Sequence, residues 1–340
     1  MKIKTLNIPL LPKVYVPLII VIFLAAIPFI TSNSYIIHVL TLILFYAVLS
    51  EAWNILGGYA GQFSVGHAAF FGVGAYTSTL LFVSWQTSPW LGMFIGALFA
   101  VISSFFIGFL CFRLRGPFFS LVTIAFAEVL RLLFLNWDSL TGGPVGLLVP
   151  LLGDSPIYFQ FSSRIPYYYI ILIMLLTVVC VTYKIRNSQT GLYFIAIRED
   201  EDAAQSLGIN TVRYKLLALA ISVFFTALAG TFYAQYIRFI HPDSAMSVDF
   251  SLEIALPAII GGTGTISGPV IGAFILTPIA EFTRAILGGG YAGVYLIIHG
   301  SILILTVVLV PGGVAEKIAK NYEMVLNKLP GRRNHEHTGS

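Results

Sequence analysis

Residues 167–183 read YYYIILIMLLTVVCVTY, residues 184–213 read KIRNSQTGLYFIAIREDEDAAQSLGINTVR, and residues 214–238 read YKLLALAISVFFTALAGTFYAQYIR. The first and third stretches are apolar over nearly the length of a membrane-spanning helix, about 20 residues. The middle stretch is the most charged part of the chain. This alternation predicts two membrane helices joined by a polar loop in water. Composition extends the reading to the whole molecule. Of 340 residues, 57% are hydrophobic and 10% charged, whereas soluble proteins carry roughly 25% charged residues. Most of this chain therefore has lipid as its solvent.

Working outward, apolar runs occur at 15–31, 36–56, 64–83, 91–112, 117–136, 167–183, 214–238, 252–260, 269–288 and 293–310. The eighth run is short for a span, so the expectation is an all-α integral membrane bundle of nine to ten helices. The Lys and Arg positions orient it. With the N-terminus in the cytosol, inside segments hold Lys2, Lys4, Lys13, Arg113, Arg115, Lys184, Arg186, Arg198, Arg213, Lys215, Lys317, Lys320, Lys328, Arg332 and Arg333. Outside segments hold only Arg164 and Arg238, while Arg131 and Arg284 fall within spans. Such an excess of basic residues in short loops marks the cytosolic face. The expected location is a bacterial inner membrane with both termini in the cytosol. Residues 1–316 would form the transmembrane domain, with an extracytoplasmic loop at 137–166 and a cytosolic loop at 184–213; 317–340 would be a polar tail. The run at 14–30 has no clear cleavage site after it and reads as a retained helix. The only cysteines, Cys111 and Cys180, lie in apolar runs without ligand-type neighbours, so neither a disulfide framework nor a metal site is expected.

In the cytosolic loop, Glu199, Asp200, Glu201 and Asp202 precede Ala203, Ala204 and Leu207, and Gly208 supplies a stop. Acids at a helix start favour its positive end. A short helix with a small-residue face suits a groove on another protein; it would equally serve as a solvated connector.

The stretch GLYFIAIREDEDAAQSLGINTVRYKLLALAISVFFTALAG, residues 191–230, resembles the branched-chain amino-acid ABC transporter permease family, of the LivM type. Three further stretches are similar in the same order: GGYAGQFSVGHAAFFGVGAYT at 57–77, RLRGPFFSLVTIAFAEVLR at 113–131 with TGGPVGL at 141–147, and IIGGTGTISGPVIGAFI at 259–275. The resemblance implies that the 199–208 segment couples to ATPases. It also implies the partners: a second homologous permease subunit, two cytosolic ATPase subunits and an extracytoplasmic solute-binding protein. ATP and Mg would sit on the partner subunits, with no cofactor on this chain, which has no Gly-x-x-x-x-Gly-Lys-Ser/Thr loop. Membrane lipid, and no nucleic acid, completes the set of expected contacts.

The glycine-rich stretches carry the expected solute path. Gly57 to Ser64 interrupts two apolar runs, with Asn54, Gly58, Gly61, Gln62 and Ser64 as candidate path residues. The segment with Gly261, Gly262, Gly264 and Thr265 repeats the pattern weakly, aligning Gly61 with Gly264. Irregular backbone at membrane depth is tolerated where it is buried or lines a cavity, and transporters hold polar solutes there. If the repeat is a structural duplication, the two breaks would face each other across the path. Gly66, Ala69 and Gly72 to Ala75 read instead as close helix packing. Among ionisable residues within spans, Glu128 and Arg131 share a helix face at i,i+3 and are expected to pair at a bundle interface; Glu281 and Arg284 repeat that spacing. Glu51 is expected to reach water at the cytosolic end of its span, and His67 to be a satisfied hydrogen-bonding residue.

No nucleophile or metal constellation for an intramembrane enzyme is present, so no catalytic residue is expected. A self-powered secondary transporter would use broken helices equally well, but would not need the acidic cytosolic helix. The expected function is a permease subunit of an ATP-binding-cassette importer for branched-chain or other amino acids, with urea or short amides as the alternative within the family.

Overall fold

A computed structural model of the chain describes residues 10–31, 33–112, 118–287, 300–301 and 313–314. The chain runs through α1 (Leu10–Ile30) and α2 (Ser34–Asn54), continues α2 in a π-turn at Ile55–Tyr59, and then forms α3 (His67–Trp85), α4 (Pro89–Cys111) and α5 (Phe118–Asn136). The connection after α5 holds α6 (Asp138–Thr141), short 3-10 turns and β1 (Leu147–Leu148). Then come α7 (Ile165–Arg186), α8 (Gln189–Glu199), α9 (Glu201–Ser206) and α10 (Thr211–Ile237). β2 (Phe239–Ile240) pairs antiparallel with β1, Leu147 opposite Ile240. The described part closes with α11 (Pro242–Ala245), α12 (Val248–Gly261) and α13 (Gly268–Leu287).

Among the described residues, seven helices are long and apolar enough to cross a membrane: Ser34–Tyr59, His67–Trp85, Pro89–Phe109, Phe118–Asn136, Ile165–Arg186, Thr211–Ile237 and Pro242–Gly261. In α1 and α13 the apolar stretches, Ile19–Ile30 and Gly268–Thr283, are shorter. The tenth expected run, 293–310, lies outside the described residues apart from 300–301. The eighth run is corrected. At 252–260 it is too short for an ordinary span, but in the structure α11 leads into α12, and Pro242–Gly261 together has spanning length. The third helix also starts later than expected, at His67, because 60–66 is not helical.

The bundle is organised by small residues. α3, α4 and α10 pack face to face, and a Cβ at Gly74 would strike the Ala227 backbone, one at Gly230 the Phe71 carbonyl and one at Gly96 the Gly74 carbonyl. In lipid, where apolar burial drives helices together only weakly, such close backbone approach supplies the packing energy. The outward face of α4 shows the complement: Leu91, Phe94, Leu98, Ile102, Phe105 and Phe109 are exposed at helical spacing. That is an apolar stripe on the outside, suited to acyl chains. Some of the polar groups inside pair with one another, which offsets the cost of burying them. His67 sits between the hydroxyls of Ser64 (2.9 Å) and Ser222 (2.8 Å), and the Ser251 hydroxyl accepts from the Ala68 amide at 3.0 Å.

Candidate functional site

The two glycine-rich breaks meet at the end of the bundle that carries α8 and α9. After the π-turn the chain turns at Gly61 (φ 68°), and after α12 it turns at Gly264 (φ 72°). These are the two glycines that the repeat aligns, and both need the left-handed conformation that other residues rarely adopt. The breaks do not flank an open space. Asn54, at the last turn of α2, donates from Nδ2 to the Thr265 carbonyl at 2.9 Å and accepts at Oδ1 from the Gly264 amide at 2.8 Å. One amide side chain thus satisfies two backbone groups freed by the second break. Gly58 packs so closely that a Cβ there would lie 2.5 Å from the Gly264 nitrogen.

The remaining expected path residues fall around this contact. The Ser64 carbonyl accepts from the Trp53 indole at 2.8 Å. Gln62 closes its own turn: its amide reaches the Leu56 carbonyl at 3.1 Å and its side chain the Ala60 carbonyl at 3.3 Å. The Thr265 hydroxyl donates to Gly262 (2.8 Å) and accepts from the Gly268 amide (3.0 Å). Gly261 lies against the Gly268 backbone. Asn54, Gly58, Gly264 and Thr265 are therefore one cluster, while Gln62 and Ser64 support the loop that follows the first break.

Sequence reasoning missed Arg198. From the last turn of α8 its Nη1 donates to the Gly58 carbonyl at 3.0 Å. Its side chain also lies against both turn glycines, where added Cβ atoms would come within 2.7 Å at Gly61 and 2.5 Å at Gly264. Glu199 steadies the guanidinium, accepting from Nη2 at 2.6 Å. The available signal was a lone arginine beside an acidic run, but nothing in the sequence pointed it at a backbone 140 residues away.

The acidic run divides its labour. Asp200 caps α9, accepting from the Ala203 amide at 3.0 Å, as N-cap carboxylates do. Glu201 ties α9 to α10, contacting the Lys215 ammonium at 2.5 Å and the Thr211 hydroxyl at 3.1 Å. Lys215 is 1% exposed. Asp202 faces solvent. Gly208 (φ 86°) ends the helix, and the Ile209 amide then donates to the Ala204 carbonyl at 3.1 Å. Ala204 corrects the expected small face: it is buried at 2% exposure, while Ala203 and Leu207 are exposed. With Asp200 as cap, 204 turns inward and the outward pair is 203 and 207, one turn apart.

Glu51 is likewise corrected. It is completely buried, near Asn54 and Thr182, because the π-turn carries the helix past the point where its end was expected. Arg131 does pair with Glu128, Nε to Oε2 at 2.9 Å, but it also binds Asp243 of α11. This group is not buried: Glu128 and Asp243 are about half exposed on the surface of the chain. Arg284's side chain lies outside the described residues, and so does its expected pairing with Glu281.

Residues 35–308 match the family model described as branched-chain amino acid transport system, permease component. The chain belongs to this permease family. It is 30% identical over 279 residues to the high-affinity branched-chain amino acid transport system permease protein LivM of Escherichia coli K12, covering 76% of this chain. The match spans 65% of that relative's length. LivH of Salmonella typhimurium is 27% identical over 79% of this permease and 90% of its own length. The autoinducer 2 import system permease protein LsrC of Yersinia pseudotuberculosis is 28% identical over 55% of this chain and 54% of its own. No solved structure matches.

Proposed function

We propose that this permease is the membrane-spanning subunit of an ATP-driven importer for branched-chain amino acids in a bacterial inner membrane. The observation that carries the reading is the Arg198 contact. In this reading the partner ATPases dock on the helical segment α8–α9, whose own arginine grips the point at which two broken helices close on each other. In this reading Ala203, Leu207 and their exposed neighbours meet the ATPase. Movement of α9 passes through Glu201 and Lys215 to the central helix α10, and through Arg198 to the Gly58–Gly264 contact, opening the cytosolic end of the path.

Residues 184–213 are then cytosolic and 137–166 extracytoplasmic, as the basic-residue asymmetry supports. Residues 1–316 form the translocation unit, with α1, α13 and 293–310 completing nine to ten spans and 317–340 as a tail. A second, homologous permease subunit completes the pathway. The half-exposed Glu128–Arg131–Asp243 group, near the ends of its two spans, supports this, since charges within spans need protein or water rather than lipid beside them. A solute-binding protein delivers the amino acid, and ATP and Mg are held by the two partner ATPases.

The test is reconstitution with the partner subunits in vesicles and measurement of leucine uptake. Uptake that needs ATP hydrolysis and the binding protein is expected. Uptake driven by an ion gradient without ATP would overturn the proposal.

A further inference from the structure

Away from the Arg198 contact, α2, α3, α10, α11 and α12 line a half-open cavity of about 370 Å³, within the size range of small-ligand sites. Glu253 on its wall stands about 12 Å along α12 from the break at Gly261, at 1.5 Å per residue. Glu253 is therefore near the middle of the Pro242–Gly261 span, while Ser244, Ser247 and the exposed Asp249 form the mouth of the cavity at the start of that span. Its lining has two chemistries. Phe71 meets Phe250 edge to face at 4.8 Å between ring centroids and Tyr233 at 5.6 Å, giving an aromatic wall. Asp249 and Glu253, one helical turn apart, put two carboxylates on the same face of α12. The Tyr46 hydroxyl donates to Glu253 Oε2 at 2.9 Å and fixes its orientation.

No basic side chain lines the cavity, and among the described residues neither carboxylate is in an ion pair. A carboxylate at the depth of Glu253 is costly and marks a solute or ion path, and Asp249 adds a second negative charge at the mouth. Their ordinary balance is a cation, and aromatic faces add attraction for one. The chemistry thus selects a small ligand with a protonated amine and an apolar body, and offers a carboxylate no cationic partner.

We propose that this cavity holds the amino end of the transported solute, with Glu253 and Asp249 as counter-charges to its ammonium and Phe71, Tyr233 and Phe250 against its apolar side chain. The proposal builds on the reading of the chain as an amino-acid permease and locates the solute within it.

The test uses the complete reconstituted transporter with Cys111 and Cys180 replaced by serine and a single thiol introduced by Ser244→Cys, at an exposed lining position. Modification by a small neutral maleimide is timed with leucine, with 3-methylbutylamine, which lacks the carboxylate, and with 4-methylpentanoate, which lacks the amine. Leucine and the amine should slow the reaction; the acid should not. Glu253→Gln should raise the half-protecting concentration of leucine and of the amine about tenfold or more, the size expected for a charge-assisted hydrogen bond. Equal protection by the acid, no protection by leucine and the amine, or no effect of Glu253→Gln would each overturn the assignment. Leucine uptake in the same vesicles separates the two readings. Normal uptake without protection would place the error in the cavity alone. Protection by the amine in vesicles that take up no leucine would keep the site and remove the transport function.

Discussion

Arg198 and Gly58 lie 140 residues apart and are joined by a 3.0 Å hydrogen bond from guanidinium to backbone carbonyl. The π-turn leaves that carbonyl available, and a charged donor makes the bond stronger than a neutral one would be. The same side chain lies against Gly61 and Gly264, so one residue of α8 contacts both breaks.

Arg198→Ala should therefore leave the protein inserted and its ATPases bound, yet reduce transport at least about tenfold, the loss of one charge-assisted hydrogen bond of about 1.5–3 kcal/mol. ATP hydrolysis should continue without solute. Arg198→Lys should recover only part, because an ammonium lacks the planar fork that reaches Gly58 and Glu199 together. Uptake and ATPase rates measured side by side decide this. Normal coupling in the alanine variant would mean that the contact is incidental.

The inward and outward faces of α9 predict a contrast. Ala203→Arg places a long cation on the exposed face and should release the ATPases without lowering thermal stability. Ala204→Arg forces the same side chain into a buried position and should destabilise the fold by more than about 2 kcal/mol, through overpacking and an unpaired charge. Pull-down of the ATPases, together with melting of the purified permease, distinguishes them. Equal effects at the two positions would contradict the assigned faces.

Asn54 bridges the breaks through both ends of its amide. Asn54→Leu keeps the bulk but leaves the Gly264 amide and Thr265 carbonyl without partners, at a cost of about 1–3 kcal/mol for each group left buried. Lower stability and a slow ATP-independent leak of leucine are expected. A tight, fully stable Asn54→Leu variant would show that the contact does not close the path.

The membrane class and most spans were legible because a run such as 167–183 contains no charge. The span at Pro242–Gly261 was not, for a physical reason: Asp243, Asp249 and Glu253 lower its hydropathy, and a bend at Met246 and Ser247 splits it. The helix breaks could be located because Gly61 and Gly264 stand in polar, glycine-dense segments. Their direct contact could not, since it depends on the fold bringing Asn54 to the Gly264 amide. The facing of Ala204 hinged on which of four consecutive acids caps α9, and only the Asp200 bond to the Ala203 amide settles that. Glu51 was misplaced because a π-turn has no distinct sequence signature.

The pair of Glu201 and Lys215 gives the last prediction. Lys215 is almost completely buried, its ammonium is 2.5 Å from Glu201, and it also lies 5.9 Å from the centre of the Phe112 ring. Removing one member of such a pair strands a buried charge, which costs about 3–5 kcal/mol, whereas replacing both by neutral groups of similar size is often nearly neutral. Glu201→Gln alone should therefore destabilise the permease strongly. Glu201→Gln with Lys215→Met should recover most of the loss. If the pair also carries motion from α9 to α10, the double variant should melt like the native protein but import leucine more slowly at an unchanged rate of ATP hydrolysis. Melting curves and uptake on the four members of the cycle measure both effects. Native uptake in the stable double variant would confine the ion pair to stability and leave Arg198 as the connection between the ATPase-facing segment and the path.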